Sequence, residues 1–173
     1  MIIEFEGKKP QVEEGAFVAP TAVLIGDVTI EKGVSIWYGA VLRGDIGKII
    51  VKQGSSVQDN VVIHTLPDSE TVIGENVTIA HNAVLHGPVI EKGAIIGMGA
   101  VVQDFAKIGE GAMIAAGSVI PANMEVPPRH LAAGVPAEVK KEITGTSLMW
   151  VAQSAPMYQD LARRYLEEGL NQG

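Results

Sequence analysis

His64, His81 and His86 stand within one stretch, Val57 to Gly87, of a chain that holds four histidines and no cysteine. Neutral imidazole is the commonest protein ligand for zinc, and three such ligands with one open position describe a site for hydrolytic or hydrating chemistry. Without cysteine there are neither disulfides nor thiolate metal sites, so a metal would rest on histidine and carboxylate. Whether the three rings can meet depends on the elements that carry them.

Those elements follow a period of six. Val12, Val18, Leu24, Ile30, Ile36 and Leu42 are six residues apart, as are Val51, Val57 and Ile63, then Ile73, Ile79 and Leu85, then Ile90, Ile96, Val102, Ile108, Ile114, Ile120 and Val126. Three residues after the apolar position stands Gly or Asn, as in Gly33, Asn60, Asn82 and Gly99, residues that tolerate a positive φ and let the chain turn a corner. A small residue often follows, as in Ala40 and Ala100. A short strand and a corner every six residues give a three-sided coil with eighteen residues per turn. Successive turns stack as parallel strands, so the repeat predicts about six triangular turns and a prism roughly 30 Å tall. The expected fold class is mainly β, a parallel β-helix with a C-terminal α-helix packed alongside.

The chain of 173 residues, 47% hydrophobic, fits one structural domain. The repeat occupies 1–127, an exit segment 128–146 and the helix 147–173, with Tyr158, Leu161, Ala162, Tyr165 and Leu166 on one helical face. Ser154 with Pro156 predicts a fresh helix start there. A formal net charge of −7 argues against nucleic acid, which requires a basic face. The opening MIIEFEGKKP has no secretory pattern and no long apolar run follows, which predicts a cytoplasmic protein without a membrane partner.

The repeat is interrupted between Leu42 and Val51, Ile63 and Ile73, and Leu85 and Ile90, all beside the histidine stretch. Loops on a rigid scaffold are where sites tend to be built. Arg43, His64 and His86 each follow the apolar residue in successive turns, so they stack on one side at about 5 Å spacing. His81 lies two places after Ile79, on the adjacent side and above Asp59. A neighbouring chain around a threefold axis would bring its His81 to the first chain's His64 and His86, in an interface that closes as a ring.

Arg43-Gly44-Asp45, then Gln58-Asp59 followed five residues later by His64, then His81 and His86 five apart, resemble the gamma-class carbonic anhydrases, as do the hexapeptide coil and the helix. The resemblance covers nearly the whole chain and implies a left-handed coil and a homotrimer with zinc as cofactor, iron and cobalt being alternatives. It also implies that His64, His81 and His86 are metal ligands and that Arg43, Asp45 and Asp59 form an interface cluster. Gln58 is then a catalytic residue near the zinc-bound solvent, and Tyr158 a catalytic residue reaching the metal from the helix. The implied reaction is reversible hydration of carbon dioxide to bicarbonate, in which zinc lowers the pKa of its water to about 7. Two features depart from the family's best-studied type, which has a glutamate just after the RGD-like motif and an acidic loop after the first histidine. Here Ile46 stands at the first position and the second is the short stretch from Thr65 to Glu70, which predicts weak turnover. Two alternatives are an acetyl-CoA-dependent acyltransferase of the same repeat superfamily, using one histidine as general base, and a non-catalytic metal-binding scaffold. Gly134-Val135-Pro136-Ala137 resembles the coil exit of both enzyme types, and His130, outside the coil, reads as structural.

Overall fold

From Leu24 to Val126 every apolar residue of the six-residue series is at most 2% exposed, and these side chains fill the inside of a three-sided prism. Val12 and Val18, at the open lower end of the coil, are only partly covered. The computed structural model describes residues 1–171. It is a parallel β-solenoid of about seven turns with one C-terminal helix. Fully burying a Val, Ile or Leu contributes roughly 1.5–3 kcal/mol, and the coil repeats that gain at every side of every turn.

Two sides of the prism join into one 12-stranded sheet, because the strands Val23–Ile30 and Val41–Val51 run straight through a corner; the third side belongs to an 8-stranded sheet. The passage is possible at Gly26, which has φ +74 and lies against the Gly44 carbonyl, so that a Cβ would overlap the backbone. Elsewhere the corners turn at the predicted Gly and Asn positions, all with positive φ. Phe105 and Arg129 occupy the same corner position and adopt the same conformation at φ 58 and 56, without a glycine.

A second regularity binds the turns together. In five places a Glu or Gln just after the core residue accepts a hydrogen bond from a backbone N–H one turn higher: Glu13 from Lys32, Glu31 from Gln53, Gln58 from His81, Glu91 from Glu110 and Gln103 from Ala122. Corner amides lack strand partners, and each such bond satisfies one of them.

The coil outlasts its Val, Ile and Leu series. His130–Gly134 still pairs in parallel with the strand Met113–Ile114, placing Ala132 over Ile114, and Ala137–Glu142 then turns back antiparallel. At the other end Ile2 and Ile3 pair with Leu24 and Ile25. These added strands bring the expected six turns to about seven.

The helix runs unbroken from Thr146 to Glu167 and carries Pro156 in its interior, so the fresh start expected at Ser154 and Pro156 does not occur. Proline forfeits one helical hydrogen bond, but docking onto the prism holds the helix through it. Ser154, rather than capping a helix end, spends its hydroxyl on Thr78 at 2.8 Å. Tyr165 packs edge-on against Phe17 and Trp37, at 5.5 and 5.1 Å between ring centroids. The Gln159 amide donates to the Gly54 carbonyl and to Asn76. Residues 172–173, the end of the expected helical segment, lie outside the described residues.

Candidate metal centre

The strands Val41–Val51, Val62–His64 and Val84–His86 lie side by side, with Arg43 paired to His64 and His64 to His86 in register. The two imidazoles stack at 5.1 Å between centroids, the spacing of neighbouring strands. Nδ1 of His64 faces Nε2 of His86 at 3.1 Å. The outward nitrogen of each ring is engaged by a carboxylate: Nε2 of His64 by Asp45 at 2.9 Å, and Nδ1 of His86 by Asp104.

That arrangement decides what the pair can hold. A carboxylate only accepts, so the nitrogen facing it carries the ring proton, and in a neutral imidazole the other nitrogen is then a lone pair. With the outward nitrogens carrying the protons, the two facing nitrogens are both lone pairs and are available to a cation. Zinc–nitrogen bonds of 2.0–2.1 Å in tetrahedral geometry separate two ligand nitrogens by about 3.3 Å, close to the gap observed here. The donor set fits zinc.

His81 stands around the corner. It lies a turn above Asp59, and its Nδ1 meets the Asp59 carboxylate at 2.9 Å. Among the described residues, no group of three or more His, Cys, Asp or Glu side chains of the single chain could hold a metal ion. Of the candidate ligands, then, the chain brings His64 and His86 together and keeps His81 apart. Arg43 pairs with Asp45 within the chain, whereas Asp59 belongs to His81. Burial alone would raise the pKa of Asp45, but the hydrogen bonds from His64 and Arg43 outweigh it and hold the carboxyl below the usual range.

Gln58 is buried, and its Oε1 accepts from the His81 backbone N–H at 3.2 Å, so it fixes the corner that carries His81. Gln58, His81 and Tyr158 line one cavity of about 370 Å³ between the helix and the prism, with Met98, Met113 and Trp150 among its apolar walls. Burial, with a smaller contribution from the Asp59 charge, pushes the Tyr158 phenol above its ordinary pKa of 10.0, so at neutral pH it is a neutral donor. His130 lies away from these groups, with Nδ1 2.8 Å from the Pro128 carbonyl oxygen.

Two further features of the sequence bear on this site. Asp104 follows the residue that stacks on His86 by one place, so the six-residue phase already puts it within reach. Beside the histidines, the outward residues one place before the core series are all valine: Val23, Val41, Val62, Val84, Val101 and Val119 stack in register up this side. Val62 and Val84 are 40% and 39% exposed, an apolar ladder on the outside of the prism.

A family model described as "Bacterial transferase hexapeptide (six repeats)" matches residues 87–122. Gamma carbonic anhydrase 2, mitochondrial, of Arabidopsis thaliana is 41% identical over 167 residues, covering 93% of this chain and 60% of that protein. The chain thus spans about 60% of the length of this plant relative. Carnitine operon protein CaiE of Citrobacter koseri is 44% identical over 160 residues, covering 92% of this chain and 81% of that one. The crystal structure of a hexapeptide transferase family protein from Anaplasma phagocytophilum superposes with a TM-score of 0.92 at 42% identity, covering 95% of this chain and 98% of that one. Among the described residues, no helix is long and apolar enough to cross a membrane. With the six-residue coil, the terminal helix and these similarities taken together, the chain belongs to the hexapeptide-repeat superfamily of left-handed parallel β-helices that includes both the gamma carbonic anhydrases and CaiE.

Proposed function

We propose that the protein is a zinc-dependent carbonic anhydrase that interconverts carbon dioxide and bicarbonate at the subunit interfaces of a homotrimer. The observation that carries this reading is the pair of imidazole nitrogens 3.1 Å apart, each backed by a carboxylate on its far side. His64 and His86 of one subunit and His81 of the next would hold the metal, with iron or cobalt as substitutes for zinc. When bound, the ion supplies Lewis acidity and makes water acidic enough to yield a nucleophile near neutral pH. The chain's own residues do the rest. Asp45 and Asp59 fix the ring orientations of His64 and His81, and the Tyr158 hydroxyl offers a neutral donor to a substrate oxygen. Gln58 anchors the corner at His81 and lines the same cavity. The position after the Arg43-Gly44-Asp45 run is Ile46, which cannot carry a proton outward, so turnover is expected to be slow. The valine ladder supports the trimer, since it would be covered where a second prism packs beside the histidines.

A second reading, acyl transfer, draws support from the cavity of about 370 Å³, more room than carbon dioxide requires. Metal content separates the two. The hydration reading expects about one zinc per chain in a trimer and bicarbonate formation above the buffer rate in stopped flow. Val84→Glu, exposed in the single chain, is expected to leave the fold intact while removing the trimer and its zinc. A trimer that stays metal-free after zinc loading would overturn the hydration reading and favour acyl transfer.

A further inference from the structure

We propose that Asp104 is the positioning residue of His86, holding its proton on Nδ1 so that Nε2 stays open toward the shared site; this deepens the metal-centre reading and rests on it. All three candidate ligands have an aspartate partner: Asp45 on His64, Asp59 on His81 and Asp104 on His86. The first two aspartates belong to the residue runs around Arg43 and Gln58, whereas Asp104 comes from a turn above the histidine stretch. By the register of these strands Asp104 lies over Gly87, whose added Cβ would be 3.8 Å from the Asp104 Cα, and from there its carboxylate meets His86 Nδ1.

The consequence lies in the tautomers. With Asp104 accepting from Nδ1, His86 Nε2 is a lone pair aimed at His64. Without that acceptor the proton is free to move to Nε2, where it can donate to His64 Nδ1 across the same 3.1 Å gap. The two ligands would then satisfy each other and close the site. Asp104 prevents this. Partners of this kind fix ring orientation as well, and removing one typically lowers metal affinity about 10–100-fold.

Asp104 has 39% of its side chain exposed, so it can be replaced without opening the core. Asp104→Ala and Asp104→Asn would be compared with the parent chain in two measurements. In the first, metal-free protein labelled with ¹⁵N-histidine is examined by long-range ¹H–¹⁵N correlation at about pH 8, above the ordinary imidazole pKa. His86 is assigned from the signal lost in His86→Gln. The expected result is an Nδ1–H tautomer in the parent chain and in Asp104→Asn, whose amide oxygen still accepts, and a shift toward Nε2–H in Asp104→Ala. The second measurement is zinc competition against a chromogenic chelator, where Asp104→Ala is expected to bind about 10–100-fold more weakly and Asp104→Asn to stay close to the parent. An unchanged His86 tautomer, or unchanged zinc affinity, in Asp104→Ala overturns the proposal. Because the tautomer comparison uses no metal, it decides the role of Asp104 even if the parent chain takes up no zinc, which would instead refute the metal-centre reading.

Discussion

Tyr158 shows how much one side chain of this site is asked to do at once. Its ring packs edge-on against Trp37 at 6.0 Å, and the residue lines the cavity that holds His81 and Gln58. Burial and then the Asp59 charge raise its pKa, which keeps the phenol protonated at neutral pH. The two roles come apart in Tyr158→Phe. The ring contact survives and a single hydrogen-bonding group is lost, so stability should change by no more than about 1 kcal/mol in urea unfolding. If the hydroxyl donates to the substrate, the hydration rate should fall about 100-fold while zinc content is unchanged. A rate equal to the parent's would reduce Tyr158 to a packing residue. The histidine pair was legible at this scale because the six-residue phase fixes which residues stack. The carboxylate behind His86 is less plain, since the phase puts Asp104 within reach but the contact depends on its side chain leaning one register position sideways.

At the scale of the element, the long strands are the exception in a fold made mostly of two- and three-residue strands. Val23–Ile30 and Val41–Val51 bypass a corner where Gly26 and Gly44 touch backbone to backbone. Gly26→Ala would place a Cβ against the Gly44 carbonyl in a left-handed conformation, and neither peptide can yield without disturbing the ladder. Strain of this backbone kind together with overpacking should cost about 3–5 kcal/mol, read as a lower urea midpoint. Gly99→Ala is a useful control, since its φ is also positive but no atom lies within 4 Å of the added Cβ. It should cost only about 1 kcal/mol. The sequence exposes the corners because only certain residues tolerate them, and it exposes the core because Val, Ile or Leu recurs. It conceals the last turn, where Ala132 takes the core position and the apolar pattern fades. Pro156 misleads for a related reason. Local propensity favours a break there, but contacts with Phe17, Trp37 and Thr78 hold the helix through it.

The whole molecule, as one prism, presents an incomplete centre. His64 and His86 share one side with the valine ladder, while His81 is turned onto the next, so in the proposed trimer one chain would supply two ligands to one site and the third to another. In a threefold ring this makes the ligands complementary between subunits. His64→Ala and His81→Ala should each yield a trimer without stable zinc. Unfolding the two variants together and refolding them in equal amounts should restore part of it. Each mixed ring contains one junction at which the intact His64 and His86 of a His81→Ala chain meet the intact His81 of a His64→Ala chain. Random assembly makes about three quarters of the rings mixed, each with one of three junctions restored, so zinc should return to about a quarter of the parent level. Hydration activity should follow the same fraction. Native mass spectrometry establishes that mixed rings formed. If they form and neither zinc nor activity returns, the ligands are not shared between neighbours, and His81 must serve some purpose other than completing the site of the next chain.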